Sequence, residues 1–97
     1  MSRRDDPQEM DRMRAWLERA AAVLEVDAQV VLDREADLLK LASYTARNTS
    51  RPGTPLTAFL VGLAAGKADP SEMSNIAADK IQLLIEEIEE HYMEESE

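Results

Sequence analysis

The stretch TPLTAFLVGLAAG, Thr54 to Gly66, decides how this chain can fold. No charged residue lies between Pro55 and Gly66, although 32% of the whole chain is charged. Its ends read as helix punctuation. Thr54 suits an N-cap, Pro55 the first helical position, where a missing N–H costs nothing, and Gly66 a left-handed C′ position. Leu56, Phe59, Leu60 and Leu63 line one side, and Val61, Ala64 and Ala65 extend the apolar surface almost all round. A surface helix needs only a partial apolar stripe, so this helix is expected to be surrounded by its neighbours. Gly62 falls mid-helix, where glycine costs roughly 0.5–1 kcal/mol against alanine. Close approach of another helix backbone would offset that cost. Gly62 is therefore placed at a helix crossing, where Gly62→Leu would overpack.

Working outward, the signals repeat. Asp6 as cap, Pro7 as first residue and Glu9 at the third position start a first helix. Met10, Met13, Trp16, Leu17, Ala20, Ala21 and Leu24 recur along it at spacings of three and four, with Trp16 as the large anchor. Glu25 to Asp27 break the pattern, and Asp27 caps a second helix running from Ala28 to about Asn48. Val31, Leu38, Leu41, Ala42 and Thr45 share one face of it, while Asp33, Arg34, Asp37 and Lys40 mark the other. The loop NTSRPGT, Asn48 to Thr54, leads into the apolar helix. After Lys67 and Ala68, the signal Asp69, Pro70 and Glu72 opens a last helix to about Tyr92. Its stripe is Met73, Ile76, Ala77, Ile81, Leu84, Ile85, Ile88 and Tyr92, with Gln82, Glu86, Glu89 and Glu90 outside.

The expected fold is all-α. It is an irregular, compact four-helix bundle with a short, apolar third helix at its centre. Ninety-seven residues read as one helical domain, residues 1–97, frayed over residues 1–6 and again in an acidic tail from about residue 93.

Composition removes several chemistries. The chain has no cysteine, which excludes disulfides, thiol catalysis and thiolate metal sites. His91 is the lone histidine and sits among glutamates, without the further ligands a zinc site needs. Ser43, Ser50 and Ser71 lie far in sequence from it and in no nucleophile elbow. No GxGxxG or GxxxxGK[ST] pattern exists. The net charge is −9, and residues 79–97 hold eight acids against one lysine. That sign disfavours nucleic acid and anionic membrane surfaces, and an acidic helix face can steer a basic partner. The uncharged run is too short to span a bilayer, and no secretory signal follows the N-terminal arginines. The expectation is a cytoplasmic protein with no cofactor and no metal.

One polar group stands apart: Tyr44, Arg47, Asn48 and Arg51 gather where the second helix ends and the third begins. Exposed N–H groups of a helix start, with two arginines, could hold an anion or a partner's carboxylate. Alternatively, the arginines and Asn48 satisfy the last carbonyls of the second helix and fasten the loop.

The run LLKLASYTARNTSRPGTPLTAFLVGLAAGKA, Leu38 to Ala68, resembles a small actinobacterial domain family of unknown function. Arg51, Pro52, Pro55, Leu56, Thr57, Phe59, Leu60, Gly62, Leu63 and Gly66 match that family's motif. The chain departs from it at Lys40, where the family has an acid, and at Arg47, where it has a histidine. The family occurs free-standing and is similar to a segment appended to the nucleotidyltransferase that makes molybdopterin guanine dinucleotide. The resemblance implies an association with molybdenum-cofactor synthesis and supplies no catalytic mechanism.

Two functions are expected from these readings. The first is a non-enzymatic accessory or protein-interaction domain, with a nucleotidyltransferase or a second copy of the chain as partner. The alternative is a small anionic-ligand-binding protein that uses Tyr44, Arg47, Asn48 and Arg51.

Overall fold

A computed structural model describes residues 6–93, and within them the chain forms helices joined by turns. They are α1 (Pro7–Leu24), α2 (Ala28–Leu32), α3 (Glu35–Asn48), α4 (Gly53–Ala65) and α5 (Met73–His91). The fold is all-α, as the periodicities require. Of the fraying expected over residues 1–6 and from about residue 93, residues 1–5 and 94–97 lie outside the described residues, whereas Asp6 is described as the N-cap of α1. The chain divides into two compact units, one ending at Leu32 and the other beginning at Asp33.

In the first unit α1 packs with α2. Asp6 caps α1 as its sequence indicates: the Gln8 N–H donates to Asp6 Oδ1 at 3.0 Å, with Pro7 as first helical residue. Asp27 repeats the device, accepting from the Gln29 N–H at 2.9 Å. Between them, Glu25 ends α1 in the left-handed region at φ 61°. The Val26 N–H donates to the Ala21 carbonyl at 2.9 Å, closing the helix end. A glutamate here fills the place glycine usually takes, so residue type gave no sign of the conformation. Trp16 corrects its expected role. It is 63% exposed, and the buried residue of α1 is Ala21.

The single helix expected from Ala28 to Asn48 is two helices, interrupted by a turn at Asp33 and Arg34. Val30, Val31 and Asp33 are weak helix formers, and they fall together at this point. Arg34 precedes α3 with φ −108° and ψ 16°, and its guanidinium reaches Asp37 at 3.1 Å.

In the second unit α3, α4 and α5 pack as a compact, irregular bundle in which each helix touches the other two. Its core is built round Leu41 and Ile81, each 1% exposed, joined by Val61, Ala65, Ala77, Ile85 and Ile88. Leu38, Tyr44, Ile76 and Leu84 pack against that cluster. Burying an aliphatic side chain of this size stabilises a fold by about 1.5–3 kcal/mol, so a few residues dominate the unit's stability. Thr45 is the polar member of the interior, and its hydroxyl is satisfied by donating to the Leu41 carbonyl at 2.8 Å. The α5 stripe runs as its spacing indicates. Ala77, Ile81, Ile85 and Ile88 are buried, and Glu86, Glu89 and Glu90 are exposed. Tyr92 is the exception, exposed just past the helix end.

The apolar helix, α4, is central in contacting both α3 and α5, yet its packing differs from the expectation in three respects. It begins at Gly53, so Pro55 is its third residue, still within the first turn whose N–H groups have no helical partner. Thr54 does not cap it. Instead the Gly53 N–H donates to Ser50 Oγ at 3.3 Å, and the Thr57 hydroxyl donates to the Gly53 carbonyl at 2.9 Å. At the other end Gly66 is right-handed, at φ −66°. Glycine is favoured there by crowding, because a Cβ would stand 3.1 Å from the Gly62 carbonyl oxygen. Likewise α5 starts at Met73, three residues late, because Asp69 to Glu72 form a turn closed by a 2.8 Å bond from the Glu72 N–H to the Asp69 carbonyl.

The third difference matters most. α4 is not surrounded within its unit. It turns Val61 and Ala65 inward, whereas Leu56, Phe59, Leu60 and Leu63 face outward, Phe59 being 64% exposed. Two neighbouring helices cannot cover a third all round, and the small side was the one taken. Gly62 is not at a crossing inside the unit, since a Cβ there would meet nothing within 4 Å.

Ile81→Ala should therefore lower the unfolding free energy by about 2–5 kcal/mol. Gly62→Leu, in dilute solution, should leave it unchanged or raise it by about 0.5–1 kcal/mol. Urea denaturation followed by circular dichroism checks both.

Candidate functional site

The polar group at the end of α3 is built by helical spacing. Lys40, Tyr44 and Arg47 stand at i, i+4 and i+7, and so share one side of the helix. The Tyr44 ring lies between two cations, with Lys40 Nζ at 5.6 Å and the Arg47 guanidinium carbon at 5.9 Å from its centroid. Such contacts contribute about 0.5–1 kcal/mol each at exposed sites. The ring is also half-buried against the core, so it anchors the pair while leaving Arg47 exposed.

Asn48 is turned back onto the helix. Its Nδ2 donates to the Tyr44 carbonyl at 3.0 Å. One residue on, the Thr45 carbonyl accepts from the Thr49 N–H at 2.9 Å, the Ser50 N–H at 2.9 Å and the Thr49 hydroxyl at 3.0 Å. The last carbonyls of α3 are thus closed by side chains and by the loop's own backbone. Arg51 is exposed on that loop, and its carbonyl accepts from the Thr54 N–H at 3.1 Å.

Of the four residues singled out in the sequence, the structure joins three. Tyr44 holds Arg47 by its ring and Asn48 by its carbonyl, whereas Arg51 stands on the loop beyond them. Lys40 was missed as a member of the group. Its spacing of four from Tyr44 was the available signal.

Elsewhere the chemistry is sparse. His91 lies 3.5 Å from a Glu87 oxygen and 3.6 Å from a Glu90 oxygen, all on the exposed side of α5. Among the described residues, no group of three or more His, Asp or Glu side chains gathers as a metal ion would need. Nor is any helix among them long and apolar enough to cross a membrane. A run of apolar surface lies on the outward side of α4, where Leu56, Phe59, Leu60 and Leu63 are each more than half exposed.

The chain belongs to the family described as Domain of unknown function (DUF6457), whose model matches residues 8–93. No curated protein and no solved structure shows significant similarity to it. The resemblance to a small domain family of unknown function holds at that level.

Removing the Asn48 amide leaves the Tyr44 carbonyl without its side-chain donor. Asn48→Ala is expected to lower stability by about 0.5–1.5 kcal/mol. An unchanged melting temperature would mean that water serves that carbonyl equally well.

Proposed function

We propose that this chain is a non-enzymatic accessory domain of the cytoplasm that works by associating with protein surfaces. The observation that carries the reading is the outward side of α4. A helix with no charge from Gly53 to Ala65 turns its four largest apolar side chains away from its own core. Contiguous exposed apolar surface of this kind marks interaction sites. The exposed acids of α5, Glu86, Glu87, Glu89 and Glu90, add a field that draws a basic surface toward the domain.

The class of partner comes from the resemblance of Leu38 to Ala68 to actinobacterial domains, including the segment appended to molybdopterin-guanine-dinucleotide nucleotidyltransferases. On that support, the domain serves guanylyl transfer to the molybdenum cofactor by binding the transferase. A second reading, binding of a small anion at Tyr44, Arg47, Asn48 and Arg51, draws on the two cations that Lys40 and Arg47 hold over one ring.

Sedimentation velocity of the full chain mixed with such a transferase separates the readings. The accessory role predicts a co-sedimenting complex that weakens as salt is raised. Independent boundaries at every concentration, together with phosphate-induced amide shifts at Arg47, Asn48 and Arg51, would favour the anion reading instead.

A further inference from the structure

We propose that Lys40, Tyr44, Arg47 and Arg51 form a docking strip for an acidic segment of a partner protein. This rests on the reading of the place as an anion site and names the anion: carboxylates carried along a peptide chain.

Charge is segregated along the sequence. Residues 38–68 hold no aspartate or glutamate and four cations, Lys40, Arg47, Arg51 and Lys67, in a chain whose net charge is −9. These cations are also left unneutralised. Arg12, Arg14 and Arg34 each have a carboxylate three residues away, at 3.1–3.7 Å. Among the described residues, no such ion pair forms at Lys40, Arg47 or Arg51.

Geometry makes them a row. The Tyr44 ring packs against the core, with Lys40 Nζ at 5.6 Å and the Arg47 guanidinium carbon at 5.9 Å from its centroid. Side chains already held beside a fixed ring lose less freedom on binding. The Cα atoms of Lys40 and Arg47 are about 10 Å apart along α3, two helical turns, and Arg51 follows on the loop. A row of that length is matched better by carboxylates spaced along a peptide than by one compact oxyanion.

The backbone points the same way. Small anions are held at helix starts by free N–H groups. At the start of α4 the Gly53 N–H meets the Ser50 carbonyl at 3.1 Å, the Thr54 N–H meets the Arg51 carbonyl at 3.1 Å, and Pro55 has none. The site therefore works through side chains, and arginine suits carboxylates through paired hydrogen bonds. Nucleic acid fits less well, because a long polyanion runs past the strip onto the acids that set the net charge. A short segment stays within about 8 Å of the strip's cations, the screening length at physiological salt.

Titration of the full chain with hexaglutamate, followed by amide chemical shifts, tests this. The shifts should centre on residues 40–51 and weaken as salt is raised. Linked carboxylates should bind at least tenfold more tightly than inorganic phosphate at equal ionic strength. Lys40→Gln and Arg47→Gln should each weaken the peptide at least threefold while keeping wild-type helicity, since both side chains are exposed. Lys67→Gln and Lys80→Gln, outside the strip, should leave binding unchanged. Phosphate binding as tightly at the same amides overturns the proposal and leaves the small-anion reading standing. Silence with both ligands overturns the two together. Tighter binding of oligothymidylate at these amides overturns it in favour of nucleic acid, and peptide binding indifferent to Lys40→Gln and Arg47→Gln also overturns it.

Discussion

The second unit depends on the seating of Val61 and Ala65 against a core built round Leu41 and Ile81. These are small side chains for the inner face of so apolar a helix. Their size lets α4 lie against α3 and α5 while its larger residues remain outside. Solvent is an unfavourable place for Leu56, Phe59, Leu60 and Leu63, so the arrangement sets a large apolar surface aside for something beyond the unit. The stability of the unit comes from one side of the helix, and the association proposed above would use the opposite side.

The polar cluster has a different standing. Asn48 and Thr49 are engaged with the carbonyls of Tyr44 and Thr45, and Arg47 lies over the Tyr44 ring. These contacts end α3 firmly and deliver the chain to Ser50, whose hydroxyl meets the first N–H of α4. Their role is mechanical: the loop fixes where α4 starts, and thereby which of its sides turns inward. Lys40 and Arg47 also concentrate positive charge in an acidic chain, which is why an anion remains the competing reading of this place.

How much was legible in the sequence depended on whether charge marked the outer face. In α5 the glutamates label one side, and Ala77, Ile81, Ile85 and Ile88 were read correctly as the other. In α4 nothing is charged, so the sequence identified the helix but held no sign of which side would be buried. Trp16 failed for a related reason: size alone suggested an anchor, and size does not fix direction. Caps at Asp6 and Asp27 were readable because a carboxylate before a helix has a local partner two residues on. Thr54, Gly66 and Asp69 carried the same grammar but were overridden by the turns around them. The break at Asp33 was hidden because no glycine or proline marks it, and a cluster of weak helix formers is a faint signal in sequence. At the polar cluster, helical spacing joined Tyr44 with Arg47 and Asn48, while the position of Arg51 depended on a loop whose path the sequence did not specify.

The central claim is that α4 has a buried small side and an open large side. The chain has no cysteine, so a single introduced thiol reports its own site without background. Leu60→Cys and Val61→Cys place that thiol on adjacent residues with opposite surroundings. In dilute monomeric solution the account predicts that the thiol at position 60 reacts with a maleimide nearly as fast as in the unfolded chain. The thiol at position 61 should react only as the unit opens, slower by at least a hundredfold. Equal protection at both positions, or a faster reaction at position 61, would contradict it.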